Sequence, residues 1–504
     1  ADGYARASGR LTACNVHVAP GLGNAMGSLF NAQFSGSPII VAAGQQEQGH
    51  GLMEPILYGP VVQMAQPLVK WAVEVTRVED LPRIVRRAAK IATTPPTGPV
   101  FMSLPGDILN GEAELDLGKS SRVERFVRPS DEIIDRLARR LLSARNPVII
   151  VGTEVAAYDA WKEAAELAEL LGAPVYQQSV PDAAHFPSDH AAYQGTLSRD
   201  QPQVRKLLEP HDLLVSLGGD SLRMSVYSPT EPLPDGMPVV QIGERGWDLA
   251  KNYPAEYAVQ ANVRETLAAL LPVLRRLRSP ERSAEAQRRL AALGKDNWST
   301  RRVRFAQEME AHAARQPIDP RYLMVQISEA LPPDATVLEE AVTGTRPLLT
   351  CIPYRDSRSF YGLASGGIGF AMGGAVGISL ALPDRPIVAV IGDGSALYSI
   401  QALWSAAHLA LPITYVIINN RSYRVLKERM ISMRGAREFT GMDFHEPPIA
   451  FTQLAQSFGV KASRITAPGD IRPALNEAIA SRAPRLLEFM VDDGFGGSTK
   501  SGAM

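Results

Sequence analysis

The sequence predicts an α/β protein built from three doubly wound parallel-sheet domains, and three observations carry that expectation. A chain of 504 residues exceeds what one hydrophobic core supports, and its length points to about three domains. Short β-branched runs alternate with stretches of helical periodicity, the rhythm of parallel strands joined by crossover helices. In the last third, two such runs end in polar turns: Pro386 to Ile391 leads into Gly392-Asp393-Gly394-Ser395, and Ile413 to Ile418 into Asn419-Asn420. Between them Ile400, Leu403, Trp404, Ala407 and Leu411 recur at helical spacing. The segment reads as a right-handed βαβ unit with both turns at strand carboxyl ends, where open α/β sheets bind ligands.

In order, residues 1–110 carry strands Thr12 to Val16, Ile39 to Ala43 and Val100 to Leu104, with helices Asn24 to Gln33 and Leu81 to Ala92. Gly21 and Gly23 read as a tight strand-to-helix turn. A charged, proline-containing connection, Gly111 to Asp131, separates this domain from a second over residues 132–274. There an amphipathic helix precedes strands Pro147 to Val151, Pro174 to Tyr176, Leu213 to Leu217 and Pro238 to Ile242. Val151-Gly152-Thr153 and Gly218-Gly219-Asp220 are too short for a dinucleotide fingerprint, so this domain reads as scaffold. Arg275 to Arg304 reads as a solvated linker helix. A third domain, 320–504, opens with strand Thr336 to Glu339. It continues through the glycine-rich run 362–369 into a small-residue helix, Phe370 to Leu382, and later a helix from Arg424 to Met430; Gly494 to Met504 is expected to be disordered.

Composition excludes several function classes. The 52 basic and 53 acidic residues nearly cancel, so nothing favours nucleic acid or an anionic membrane as partner. Apolar stretches such as Ala371 to Leu382 are too short to span a bilayer. Two cysteines, Cys14 and Cys351, fit a reducing compartment, and a cytoplasmic location is expected.

The turns suggest a magnesium diphosphate site. Mg²⁺ takes a few protein oxygens and leaves the rest to phosphate and water. Asp393 offers a carboxylate, Asn420 an amide oxygen and Ser422 a main-chain or side-chain oxygen. Gly392 and Gly394 have no Cβ to hold a phosphate away from the N–H groups of Gly394 and Ser395. Each turn alone reads equally as plain chain reversal; the pair, each closing a strand, favours the ligand site. His17 follows a strand end and can exchange a proton near neutral pH, or serve structure alone, whereas His50 reads as a surface residue.

The GDGS of 392–395 with the NN of 419–420 resembles the thiamine diphosphate motif of the 2-oxoacid decarboxylase and acetolactate synthase superfamily. ADGYAR at 1–6, NVHVAPGLGNAMGSLFNAQ at 15–33, SPIIVAAGQQ at 37–46, PLVKW at 67–71 and GPVFMSLPGD at 98–107 are similar to its cofactor-activating domain. The resemblance runs over nearly the whole chain, strongly at both ends and weakly over 110–320, and is greatest to the benzoylformate decarboxylase branch. It implies a pyrimidine-binding domain at 1–110, a central domain at 132–274 and a diphosphate-binding domain at 320–504. It further implies thiamine diphosphate and Mg²⁺ as cofactors. Asp393, Asn420 and Ser422 would ligate the metal, and Thr343, Gly394, Ser395 and Tyr423 would lie beside the cofactor. The Gly366 carbonyl would meet the aminopyrimidine amine, Ile368 would hold the cofactor bent, and His17 would line the substrate pocket.

The implied reaction is nonoxidative decarboxylation of a small 2-oxoacid through a cofactor carbanion, in a homodimer or homotetramer. A carboligase or lyase resembling acetolactate synthase or benzaldehyde lyase is the alternative, and a noncatalytic relative serving binding or assembly is a third reading. In the family a glutamate that protonates the aminopyrimidine stands seven residues ahead of the alanine matching Ala1; its absence reads as truncation of the first domain. Two departures bear on substrate: Ser225 stands where the branch has a second pocket histidine, and Arg429 where it has an aromatic residue. Arg429 either faces the pocket, favouring an acidic substrate tail, or lies on an exposed face without meaning.

Overall fold

Three parallel sheets follow one another in the computed structural model, which describes residues 1–224, 227–435 and 438–494. The first contains β1 (Thr12–Val16), β2 (Ile39–Gln45), β3 (Ala72–Glu74) and β4 (Val100–Pro105) in the order β1-β2-β4-β3. The second contains β5 (Pro147–Val151), β6 (Val175–Gln177), β7 (Tyr193–Thr196), β8 (Leu213–Leu217), β9 (Val239–Gly243) and β10 (Tyr257–Gln260), ordered β10-β9-β8-β5-β6-β7. The third contains β11 (Thr336–Glu340), β12 (Phe360–Gly362), β13 (Ile387–Gly392), β14 (Ile413–Asn419), β15 (Lys461–Ile465) and β16 (Arg485–Met490), ordered β12-β11-β13-β14-β16-β15. Strands β5, β8, β11 and β14 are buried along their whole length. Helices cover both faces, which is why these strands read as continuous apolar runs.

In an open parallel sheet the chain leaves in opposite directions at one point, and a crevice opens there between the strand ends. In the second sheet that point lies between β5 and β8, in the third between β11 and β13.

Two expectations are corrected. Helix α1 spans Asp2–Ser8, and helix α2 spans Val18–Ser35, beginning six residues before Asn24. Gly21 and Gly23 therefore lie inside a helix, and the Gly21 amide already donates to the His17 carbonyl at 2.7 Å. The arginine-rich stretch, expected as one solvated linker helix, forms two largely exposed ones, Pro280–Gly294 and Trp298–Met309, whose long side chains reach carbonyls of the neighbouring domains. Arg289 Nε donates to Gly172 O at 3.3 Å, Arg301 Nη2 to Gln194 O at 2.7 Å and Trp298 Nε1 to Leu349 O at 3.0 Å. The first two bonds tie these connecting helices to the second domain, and the last ties them to helix Thr345–Cys351 of the third.

The three domains also meet at Asp182. Its buried carboxylate is met by the Thr153 hydroxyl at 2.9 Å, by Gln178 Nε2 at 3.2 Å and by His185 Nε2 at 2.9 Å. Burial alone would raise its pKa; the partners, with the Arg6 charge, overcome that and hold it at about 2. Arg6, on α1, donates to the carbonyls of both Asp182 and Gly362. The expectation for the tail falls on residues 495–504, outside the described residues. Among the described residues no helix is long and apolar enough to cross a membrane.

Candidate active site

The turn after β13 and the turn after β14 close on each other. Asp393 starts the short helix Asp393–Ala396 and is buried with Gly394 and Ser395. Its Oδ1 accepts the Gly394 amide at 2.8 Å, while Oδ2 is buried with no hydrogen-bond partner among the described residues. Burial pushes this carboxyl up to about 7, against the pull of the amides of Gly394, Arg421, Ser422 and Asn420. Three of those amides come from the second turn, so Asp393 looks directly onto it.

That turn is held open by its own side chains. Asn420 Oδ1 accepts the Ser422 amide at 2.9 Å and its hydroxyl at 3.2 Å, and Arg421 adopts φ 58 between them. Asn420 and Ser422 are both buried. Tyr423 follows, its ring edge-on to Phe444 with centroids 4.7 Å apart, and its other side against Gly394. A Cβ on Gly394 would stand 2.5 Å from Tyr423 Cε1, so only glycine fits this approach.

The opposite wall comes from β11 and the glycine-rich run. Glu340 is buried, and accepts the Gly369 amide at 2.5 Å and the Ala371 amide at 2.6 Å, capping helix Phe370–Ala381. Burial raises its carboxyl to about 7. Thr343 sits in the turn Val342–Gly344 that follows, half-buried. Gly366, exposed at φ 83, and half-buried Ile368 lie just ahead of the capped helix. Ser399 Oγ donates to Gly369 O at 2.7 Å, tying this run to the segment after Asp393. From the first domain, Asn31 Oδ1 accepts the Ser365 amide and hydroxyl, both at 3.1 Å.

The structure thus brings Thr343, Gly366, Ile368, Asp393, Gly394, Ser395, Asn420, Ser422 and Tyr423 to the carboxyl edge of one sheet. His17 stands elsewhere, exposed at the N-terminus of α2, at the end of β1 in the first sheet. Among the described residues no hydrogen bond or ion pair joins it to that group. Arg429 is exposed on helix Arg424–Arg434, and its charge is felt by Arg199, whose guanidinium is lowered chiefly by burial and raised by Glu339. Ser225 lies outside the described residues. Sequence reading missed Glu340, Asn31 and Ser365. The one available signal was the Glu339-Glu340 pair, two acids ending an apolar strand.

The donor set fits a small hard cation. A buried carboxylate oxygen with no hydrogen-bond partner among the described residues, an amide oxygen and a hydroxyl lie in two adjoining turns, and all are oxygen. Beside them the short helix Asp393–Ala396 presents its first amides, among them that of Ser395, at the strand end.

Comparison with known proteins agrees with this geometry. Three family profiles match in order: thiamine pyrophosphate enzyme, N-terminal TPP binding domain, over residues 1–56; the central domain over 134–270; and the C-terminal TPP binding domain over 346–489. The chain is 32% identical over 491 residues to benzoylformate decarboxylase of Pseudomonas aeruginosa, covering 97% of this chain and 88% of that one. It is 26% identical over 520 residues to a probable chloroplastic acetolactate synthase 2 of Oryza sativa subsp. japonica, covering 97% and 75%. Among solved structures, the thiamine diphosphate-dependent 4-hydroxybenzoylformate decarboxylase of Rhodococcus jostii RHA1 superposes with a TM-score of 0.85 at 32% identity, over 97% of this chain and 89% of that one. With three profiles in register and such identity over nearly its whole length, the chain belongs to the thiamine pyrophosphate-dependent enzymes, in the group that holds benzoylformate decarboxylase and acetolactate synthase.

Proposed function

We propose that the protein decarboxylates a 2-oxoacid of the benzoylformate type nonoxidatively, using thiamine diphosphate held through Mg²⁺. The observation that carries this is the buried, unpartnered Asp393 Oδ2 facing the Asn420 turn. Asp393, Asn420 and Ser422 would hold the metal. The amides of Gly394 and Ser395, with Thr343 and Tyr423, would hold the diphosphate, and the Gly366 carbonyl and Ile368 would orient the rings. Once bound, thiamine diphosphate supplies an electron-accepting thiazolium for the electrons released with carbon dioxide. Residues 1–110, 132–274 and 320–504 serve as pyrimidine-binding, central and diphosphate-binding domains.

His17 handles the substrate carboxylate or its protons in the site of a second copy, which makes a homodimer or homotetramer the working unit. Two features support this. Among the described residues His17 makes no bond to the turns around Asp393, and a strongly apolar loop of the same domain is left bare, with Leu52 93% and Ile56 85% exposed. The free cysteines Cys14 and Cys351 fit a cytoplasmic location. Likeness to an acetolactate synthase favours carboligation as the second reading.

The test measures carbon dioxide release from aromatic, branched and acidic 2-oxoacids by the full-length protein and His17→Ala. The variant should turn over roughly 10²-fold more slowly, the scale of a positioned acid or base, at unchanged cofactor affinity. Equal rates at equal cofactor loading would remove His17 from the mechanism; no carbon dioxide from any member, with aldehyde or ketone condensation instead, would establish the carboligase.

A further inference from the structure

A second cavity, of about 120 Å³, lies at the carboxyl ends of β14, β15 and β16, behind the turn that carries Asn420 and Ser422. Asn419, Arg421 and Arg464 give it a polar side, and Phe444, Ile449 and Met490 an apolar one. Its roof is fixed to the turn itself: the Phe444 amide donates to Arg421 O at 2.8 Å and the Tyr423 amide to Met442 O at 2.9 Å.

The charges in this cavity do not cancel. Glu488 is fully buried and accepts Arg464 Nε at 2.9 Å, Arg464 Nη2 at 3.3 Å and Asn419 Nδ2 at 2.7 Å, so one acid satisfies both of those neighbours. Arg421 has no such acid. Its side chain lines the cavity, and among the described residues its guanidinium makes no ion pair; its Nε has neither a hydrogen-bond partner there nor surface open to the cavity. A cation left without a counter-charge at a cavity wall favours an anion there. A guanidinium meets that need best with a planar carboxylate, whose two oxygens match its parallel N–H groups.

We infer that this cavity binds a small monocarboxylate with a short hydrocarbon body, its carboxylate on Arg421 and its chain against Phe444, Ile449 and Met490. The size agrees, since an apolar cavity of roughly 150 Å³ accommodates benzene. Inorganic phosphate would match the cation but leave the apolar wall unfilled, and an uncharged alcohol would do the reverse. The site shares the turn of Asn420 and Ser422 with the proposed metal site, but butyrate binding is read without turnover.

The test is a ligand-observed NMR titration of the full-length protein, loaded with thiamine diphosphate and magnesium, using butyrate, 1-butanol and inorganic phosphate as probes. Butyrate should bind saturably and more tightly than either other probe. Arg421→Asn removes the guanidinium with a residue that tolerates the left-handed backbone there, and Ile449→Trp fills the cavity from a position outside the metal turn. Each should weaken butyrate binding at least about tenfold, a change of roughly 1.4 kcal/mol. Thermal melts report which variants are folded, and either folded variant suffices. The inference is overturned if butyrate does not bind the parent, if phosphate binds as tightly as butyrate, or if a folded variant of either kind binds butyrate as the parent does.

Discussion

The second and third sheets share one architecture and present the same crevice, yet one crevice is filled by the protein and the other is left for a ligand. Between β5 and β8, Gly152, Gly218 and Gly219 bring two backbones together, and the Gln178 side chain lies across them. Glu154 is buried there with both carboxylate oxygens occupied by the Glu244 amide, at 3.2 and 2.9 Å. Between β11 and β13, and on to β14, Gly394 instead admits the edge of Tyr423, and Asp393 Oδ2 is left buried without a hydrogen-bond partner among the described residues. A parallel sheet supplies the place for a site. Whether the place is a site depends on which buried polar atoms remain unsatisfied, since a stable interior pairs nearly all of them.

The largest expected effect tests the open crevice. Asp393→Ala removes the one carboxylate between the two turns, and magnesium-dependent thiamine diphosphate affinity should fall by roughly 10²-fold or more, because a hard dication depends on charged oxygen. Glu154→Gln in the closed crevice should leave that affinity unchanged. Calorimetry showing the same affinity for Asp393→Ala and the parent would erase the distinction between the two regions and with it the proposed metal site.

What the sequence displays follows the same division. Strands β13 and β14 and the turns after them were legible because their signal is local: apolar runs closing on GDGS after Ile391 and on NN after Ile418. The partnership of Asp393 with the amides of residues 420–422 was legible only through the pairing of two motifs. Glu340 and Asn31 were not, since their partners Gly369 and Ser365 are distant in sequence and carry no pattern. The edge strands β3, β7, β10, β12 and β15 also escaped, being short or half-exposed, as with Lys461–Ile465. Helix α2 starts early because His17 and Val18 turn directly out of β1, with Val18 at φ 47, where glycines suggested a longer loop.

A smaller effect tests how tightly the second crevice is shut. A Cβ on Gly152 would stand 2.6 Å from Gly219 Cα and 2.7 Å from Gly218 O, and backbone cannot swing aside as a side-chain end can. Gly152→Ala should therefore cost about 1–3 kcal/mol, the scale of overpacking, lowering the melting temperature without a matching loss of cofactor affinity per folded molecule. Unchanged stability would mean that the crevice has slack and could admit a ligand.

The last and smallest effect concerns the acid inside the closed crevice. Burial raises the Glu154 carboxyl from 4.5 to about 7, with the Glu244 charge adding to the rise and the Glu244 amide and Arg245 opposing it. A carboxyl whose folded pKa lies above its unfolded value favours the folded state while protonated. Its contribution is complete below pH 4.5 and is lost as pH rises through about 7. A shift of this size sets a ceiling of roughly 3 kcal/mol, and relaxation around the ionised group reduces the realised effect to about 1 kcal/mol at the effective dielectric of real interiors. Glu154→Gln keeps an acceptor for the Glu244 amide and cannot ionise. Its melting temperature should match the parent near pH 4.5 and exceed it progressively up to pH 8, with Asp393 and the metal turns untouched. Parallel curves for the two proteins across that range would show that Glu154 stays hydrated, and that the crevice between β5 and β8 is open to water after all.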